Sequence, residues 1–181
     1  MSQQAGRYQR SASGMVGAMI VLLAIIAVFV VFRAVNRTEP ESAVRTVDYQ
    51  PVVAAAREQV DFPLLAPPEL PAGWRATVAE FTVTPPSWHL RVLTEEQRYL
   101  GLEQSRSSVR DMVATYVDRD AVRGEAVDVG GESWRTWTDS GGDTALVKTD
   151  REVTTLLVTT GDVDLLMRYL GLLQEQPAAL Q

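Results

Sequence analysis

The sequence predicts an α+β domain, with a mostly antiparallel sheet of about six to seven strands packed with two helices, behind one N-terminal transmembrane helix. Three observations predict it. No residue from Ser11 to Phe32 is charged. Between Arg75 and Thr159, short runs of alternating apolar and polar residues are separated by turn-forming residues. Two further stretches repeat their apolar residues at helical spacing.

The apolar run comes first. Met15–Phe32 reads MVGAMIVLLAIIAVFVVF. About 22 helical residues rise roughly 33 Å, enough to cross the hydrocarbon core. Backbone polar groups there must be satisfied within the segment, which demands a helix. The run exceeds the roughly 7–15 residues of a signal-peptide core, and Arg33-Ala34-Val35-Asn36-Arg37 has no small-x-small cleavage pattern. An uncleaved anchor over residues 11–33 is therefore expected, in a single-pass protein of the cell membrane. Arg7 and Arg10 precede it, and Arg33, Arg37 and Arg45 follow, so the count of basic residues nearly ties. Residues 1–10 are expected to form a cytoplasmic tail, with the domain outside, because short basic tails normally stay behind. Ser13/Gly17 and Gly14/Ala18 form overlapping small-xxx-small pairs, which permit a homodimer but are also common in membrane helices generally.

Composition sets limits on chemistry. The 181 residues include no Cys, which excludes disulfides, thiolate catalysis and Cys-ligated zinc. Lys148 is the sole lysine among 17 basic residues, an arginine bias typical of GC-rich bacterial codons. Residues 39–181 hold all 23 acids and 13 basic residues, a balance of −10, which disfavours nucleic acid as a partner.

Residues 34–61 read as a linker, with a short helix near Tyr49–Gln59 carried by Val52, Val53, Ala56 and Val60. The domain is expected over 62–174 and a C-terminal tail over 175–181. Pro63, Pro67, Pro68 and Pro71 exclude a regular helix or central strand, so Phe62–Trp74 reads as an extended strap. Arg75–Val83 and Trp88–Leu93 are expected strands around Thr84–Ser87, and Tyr99–Gln104 is a third. Val109, Met112, Val113, Tyr116 and Val117 share one helix face, with Ser108 and Asp111 as a capping pair. Glu125–Val129 and Ser133–Thr138 flank Gly130-Gly131 as a hairpin. Thr144–Thr149 and Val153–Thr159 flank Asp150-Arg151. Asp162 then caps a helix with Leu165, Leu166, Tyr169, Leu170 and Leu173 on one side. Leu156-Leu157-Val158 is apolar on both faces, which marks a central strand covered on both sides.

Several phrases carry a resemblance. They are Arg10-Ser11-Ala12-Ser13-Gly14-Met15-Val16-Gly17-Ala18-Met19, Leu70-Pro71-Ala72-Gly73-Trp74-Arg75-Ala76, Trp88-His89-Leu90, Tyr99-Leu100-Gly101-Leu102-Glu103-Gln104, and the run from Trp134-Arg135-Thr136-Trp137 to Ala145-Leu146-Val147. Together they resemble a family of actinobacterial membrane proteins, the domain of unknown function 4245. The resemblance implies one membrane helix and an exported domain, and it brings no catalytic residues. The order of strands and helices is also similar to the PsbP/Mog1-like α/β/α arrangement, a likeness of fold that licenses no function.

Candidate chemistry is sparse. His89 is the only histidine, so it cannot supply a His-rich metal site, and no Gly-x-Ser-x-Gly elbow accompanies it. A structural or surface role is the stronger reading. Asp139 and Asp143 flank Ser140-Gly141-Gly142 and suit a turn better than a cation site. Glu103 is expected to pair with an arginine such as Arg135 across the sheet. Trp74, Trp88, Trp134 and Trp137 fit core packing, with a ligand or interaction pocket as the alternative. No metal, cofactor or nucleic-acid partner is indicated, and no catalytic set is assembled. The expected function is that of a non-enzymatic anchored domain that binds a protein or envelope component. Alternatives are a small-ligand or lipid-binding domain with an aromatic-lined pocket, or an enzyme built on converging His89, Asp139 and Asp143.

Overall fold

A computed structural model describes residues 12–35 and 45–178. The expected cytoplasmic tail, Ser11 of the expected anchor, residues 36–44 of the expected linker and residues 179–181 lie outside the described residues. The chain divides into two units, Met1–Val44 and Arg45–Gln181.

The first unit holds α1 (Ala12–Val35), which has no proline and meets its first charge at Arg33. From Met15 to Phe29 its large apolar side chains are 49–74% exposed, whichever way they face. A helix apolar all round does not seek a single core-facing side. Among the described residues no helix is long and apolar enough to cross a membrane. The described side chains of α1 end at Phe29, short of the end of the expected span at Arg33. The side chains of Ser13, Gly14 and Ala18 fall outside the described ones, and an added Cβ at Gly17 would meet nothing within 4 Å.

The second unit begins with α2 (Gln50–Arg57) and β1 (Leu64–Ala66). Next come β2 (Arg75–Val83), β3 (Pro86–Leu93), β4 (Tyr99–Ser105) and α3 (Val109–Tyr116). They are followed by β5 (Val122–Val129), β6 (Glu132–Thr138), β7 (Thr144–Asp150), β8 (Val153–Thr159), α4 (Val163–Leu170) and β9 (Gln174–Gln176). Seven strands form one sheet in the order β2-β3-β4-β8-β7-β6-β5, with every neighbouring pair antiparallel. The α+β class is as expected.

Strand alternation explains the layering. Leu100 and Leu102 of β4, Leu146 of β7 and Leu157 of β8 join Leu166 and Tyr169 of α4 and Val53 and Ala56 of α2 in one core. Their neighbours Ala145, Val147, Leu156 and Val158 turn to the opposite face, where Met112 and Val113 of α3 cover them. The starts of α3 and α4 are capped by side chains: Ser108 Oγ accepts from Asp111 N, and Asp162 Oδ1 from Leu165 N at 3.0 Å.

Two boundaries differ from expectation. The compact unit starts at Arg45, not at residue 62, because Tyr49, Val53 and Ala56 are buried. Val47 N also donates to Ala76 O at 2.9 Å. At the other end, Gln174–Gln176 is no free tail but pairs with Leu64–Ala66 as a two-stranded ribbon. The prolines bracket β1 without entering it, so its ladder bonds survive.

Leu157 sits wholly buried in the central strand, where neighbours cannot collapse into a vacancy. Leu157→Ala is expected to cost about 3 kcal/mol in urea unfolding followed by tryptophan fluorescence. Val122→Ala, on an exposed edge residue, serves as the comparison and is expected to change little.

Candidate functional site

The sheet face beneath α3 carries a buried polar cluster. Register sets His89 of β3 opposite Glu103 of β4, then Leu156 of β8, Val147 of β7 and Arg135 of β6. The Nδ1 atom of His89 meets Oε2 of Glu103, and their side chains are 14% and 2% exposed. Tyr116, near the end of α3, stands 6.1 Å from the His89 ring, and its phenol faces the Glu103 carboxyl. Tyr99 lies over Gly101, where an added Cβ would come within 2.6 Å of the tyrosine hydroxyl and 2.9 Å of Val158.

Burial pushes the Glu103 carboxyl above the usual carboxylate range. The hydrogen bond and charge of His89, and then the charge of Arg91, pull it part of the way back. Burial likewise raises the phenols of Tyr99 and Tyr116, and the nearby Glu103 carboxyl adds to both. The pair lies in a site nearly closed to solvent. The expected Glu103–Arg135 pairing does not form: β8 and β7 separate the two strands, a distance of roughly 14 Å. Arg135 Nη1 instead donates to Gly124 O at 3.4 Å.

The remaining candidates scatter. Asp139 and Asp143 close a turn on each other, with Asp143 N donating to Asp139 Oδ1 at 2.7 Å and Asp139 N to Asp143 O at 3.1 Å. Gly142 there has φ +100°, which a side chain would strain. Burial, and then the Asp139 charge, raise the Asp143 carboxyl. Among the described residues no three His, Asp or Glu side chains gather as a metal-holding group. His89 lies in the row of Val147, whereas Asp143 precedes Thr144, three strands away from β3. That separation is roughly 13 Å along the strands and 14 Å across them, so His89, Asp139 and Asp143 do not converge.

The tryptophans divide between the faces. Trp88 is fully buried and donates Nε1 to Leu65 O at 3.0 Å, which pins the strap to the sheet. Trp134, on the same face, forms part of the lining of a cleft of about 570 Å³. Phe62, Leu65 and Leu173 supply apolar walls, and the β1–β9 ribbon borders it. Lys148 Nζ lies 5.9 Å from the Trp134 ring centre and pairs with Glu132. Arg106 joins Asp61 at 2.9 Å and Glu152 at 3.2 Å near the same mouth. Trp137 is half-buried on the α3 face. Of the cleft's lining, sequence reasoning singled out Trp134 alone. The strap residues and the two hairpin turns come together only through tertiary pairing.

His89→Ala removes the hydrogen bond and charge that lower the Glu103 pKa, so that pKa rises further. A carboxyl with a raised folded-state pKa adds stability below its unfolded value and loses that contribution as pH rises through the folded value. The variant is expected to lose about 3 kcal/mol near pH 7 and markedly less near pH 4. Urea unfolding at the two pH values checks this, and adding Glu103→Gln is expected to flatten the difference.

No curated protein and no solved structure matches the chain. The model of one family, described as a protein of unknown function (DUF4245), matches residues 7–172. That match takes in both the apolar helix and nearly all of the sheet domain, and the chain belongs to this family.

Proposed function

We propose that this protein is a single-pass membrane protein whose α+β domain, outside the cytoplasmic membrane, binds an extended segment of a protein partner in the Trp134 cleft. The observation that carries the binding reading is the cleft's make-up. Apolar walls from Phe62, Leu65 and Leu173 lie beside charges of both signs from Asp61, Arg106, Glu132 and Lys148. Such a mixture suits a peptide, which offers apolar side chains together with polar backbone and charge. An enclosed apolar cavity would have favoured a lipid or small apolar ligand, whereas this cleft is open and rimmed with charge.

The anchoring reading rests on α1, helical for 24 residues and apolar around its whole circumference. Exposed apolar surface on that scale calls for lipid or a partner helix. The spacing of Ser13, Gly14, Gly17 and Ala18 supports a homodimer through this helix. The layering of α3 on one face and α2 with α4 on the other supports the PsbP/Mog1-like arrangement, at the level of fold alone.

Two measurements test the proposal in cells. Protease added to intact cells, with access through the wall controlled, is expected to digest the C-terminal domain; protection until the membrane is opened would reverse the orientation. A photo-crosslinking side chain at Asp150, on the cleft, is expected to capture a discrete protein that the same group at Arg168 does not. Equal capture at both positions would remove the cleft from the proposal.

A further inference from the structure

The α3 face holds a second depression with a different character. A groove of about 580 Å³ runs between the start of α3 and the β5–β6–β7 wing, and Arg110, Arg123, Arg135 and Trp137 all line it. No acidic residue lines it. Among the described residues none of the three arginines has a carboxylate within 4.0 Å, although residues 39–181 carry a balance of −10. In so acidic a domain, scattered arginines would ordinarily find carboxylates. Three that gather without one leave their charge facing whatever enters the groove.

The backbone is shaped to gather them. The ladder between β5 and β6 slips between Arg123 and Ala126, setting Arg123 opposite Trp137 and Ala126 opposite Arg135. Residues three apart on a regular strand face opposite sides. The bulge cancels that alternation and turns Arg123 to the same face as Arg135 and Trp137. Arg110 reaches the groove from the first turn of α3, whose position is fixed by buried Met112 and Val113. Arg135 is thus held on β6 inside the sheet, Arg123 on the bulged edge strand and Arg110 on a docked helix, with a half-buried indole beside them.

We infer that the Arg110–Arg123–Arg135–Trp137 groove is a binding site for a phosphate-bearing ligand. A phosphate offers several strong acceptor oxygens to the planar forks of guanidinium groups, and more than one arginine is needed to neutralise it. Trp137 supplies a flat apolar surface for the carbon portion of the ligand. The phosphate comes either from a soluble monoester or from a lipid headgroup, and the chemistry of recognition is shared. The groove lies on the opposite face of the sheet from the Trp134 cleft, and Lys148 is the residue common to the two linings, so this inference does not rest on the proposed partner site.

The test uses the full chain in phosphatidylcholine nanodiscs, with tryptophan fluorescence as the readout and Trp137→Phe to assign the signal. In one arm glycerol 3-phosphate is titrated in. In the other, phosphatidylglycerol replaces about a third of the nanodisc lipid. Saturable change in the first arm assigns a soluble ligand, and change in the second alone assigns a headgroup. In whichever arm responds, Arg123→Gln and Arg135→Gln are each expected to weaken binding about tenfold or more. Arg123→Lys keeps the charge without the fork and is expected to fall between. Arg168→Gln, on the helix that packs against the other face, shifts the baseline through Trp74, which its guanidinium overlies at 5.4 Å, and is expected to leave the affinity unchanged. Circular dichroism of each variant confirms the fold, and Arg123 is exposed on an edge strand where substitution is tolerated. Silence in both arms, or equal weakening by Arg168→Gln, would overturn the inference.

Discussion

Every residue of β8, from Val153 to Thr159, is buried. A strand with apolar side chains on both faces cannot sit at an edge or leave either face to water, so it must be central and covered twice. The remaining architecture follows from that demand. β4 and β7 pair with β8 on its two sides, α4 closes one face over Leu157, and α3 closes the other over Leu156 and Val158. The outer strands are less constrained. By β5 the sheet is largely exposed, and there a bulge is accommodated.

Covering both faces creates the polar problem at Glu103. Its side chain points under α3 because Leu102 and Gln104 on either side point the other way. A carboxylate in that position without a partner would strongly oppose folding. His89 stands opposite and meets Oε2, while Oε1 has no hydrogen-bond partner among the described residues, and Tyr116 and Arg91 stand near enough to shape the carboxyl's proton affinity. Replacing the pair by apolar residues of similar volume would remove the same conflict, so stability alone does not explain it. The pair ties the hairpin of β3 and β4 to the seating of α3, because the same carboxyl faces both His89 and Tyr116.

Much of this fold was legible in the sequence. Strand and helix order followed from alternation and spacing, the centrality of β8 followed from Leu156-Leu157-Val158, and the Asp139–Asp143 turn followed from its glycines. The His89–Glu103 contact was also within reach. Closing a hairpin on Thr94–Arg98 sets Leu93 against Tyr99, and counting back then sets His89 against Glu103. The reach of Glu103 to Arg135 failed for want of strand order, since β8 enters between β4 and β7 from much later in the chain. The β1–β9 ribbon was hidden for the same reason: its strands are three residues each, too short for alternation to register. Arg123 escaped notice because the bulge breaks the periodicity by which its face would be assigned.

The two depressions differ in a way that bears on how the domain could work. The Trp134 cleft is bordered by the β1–β9 ribbon, whose Leu65 is bonded to Trp88 and Gln104 of the sheet, and by the hairpin turns at Gly130 and at Asp150-Arg151. The Arg123–Arg135 groove rests on β6 and β7, next to the buried central strand, and on a capped helix. Walls that mix apolar surface with both charges favour a segment that offers both, whereas walls of one charge favour a small group of the opposite charge. The sheet itself separates them, with Trp134 and Trp137 on its opposite faces. β6 carries both tryptophans and Lys148 of β7 enters the lining of both depressions, so the two sites share these strands.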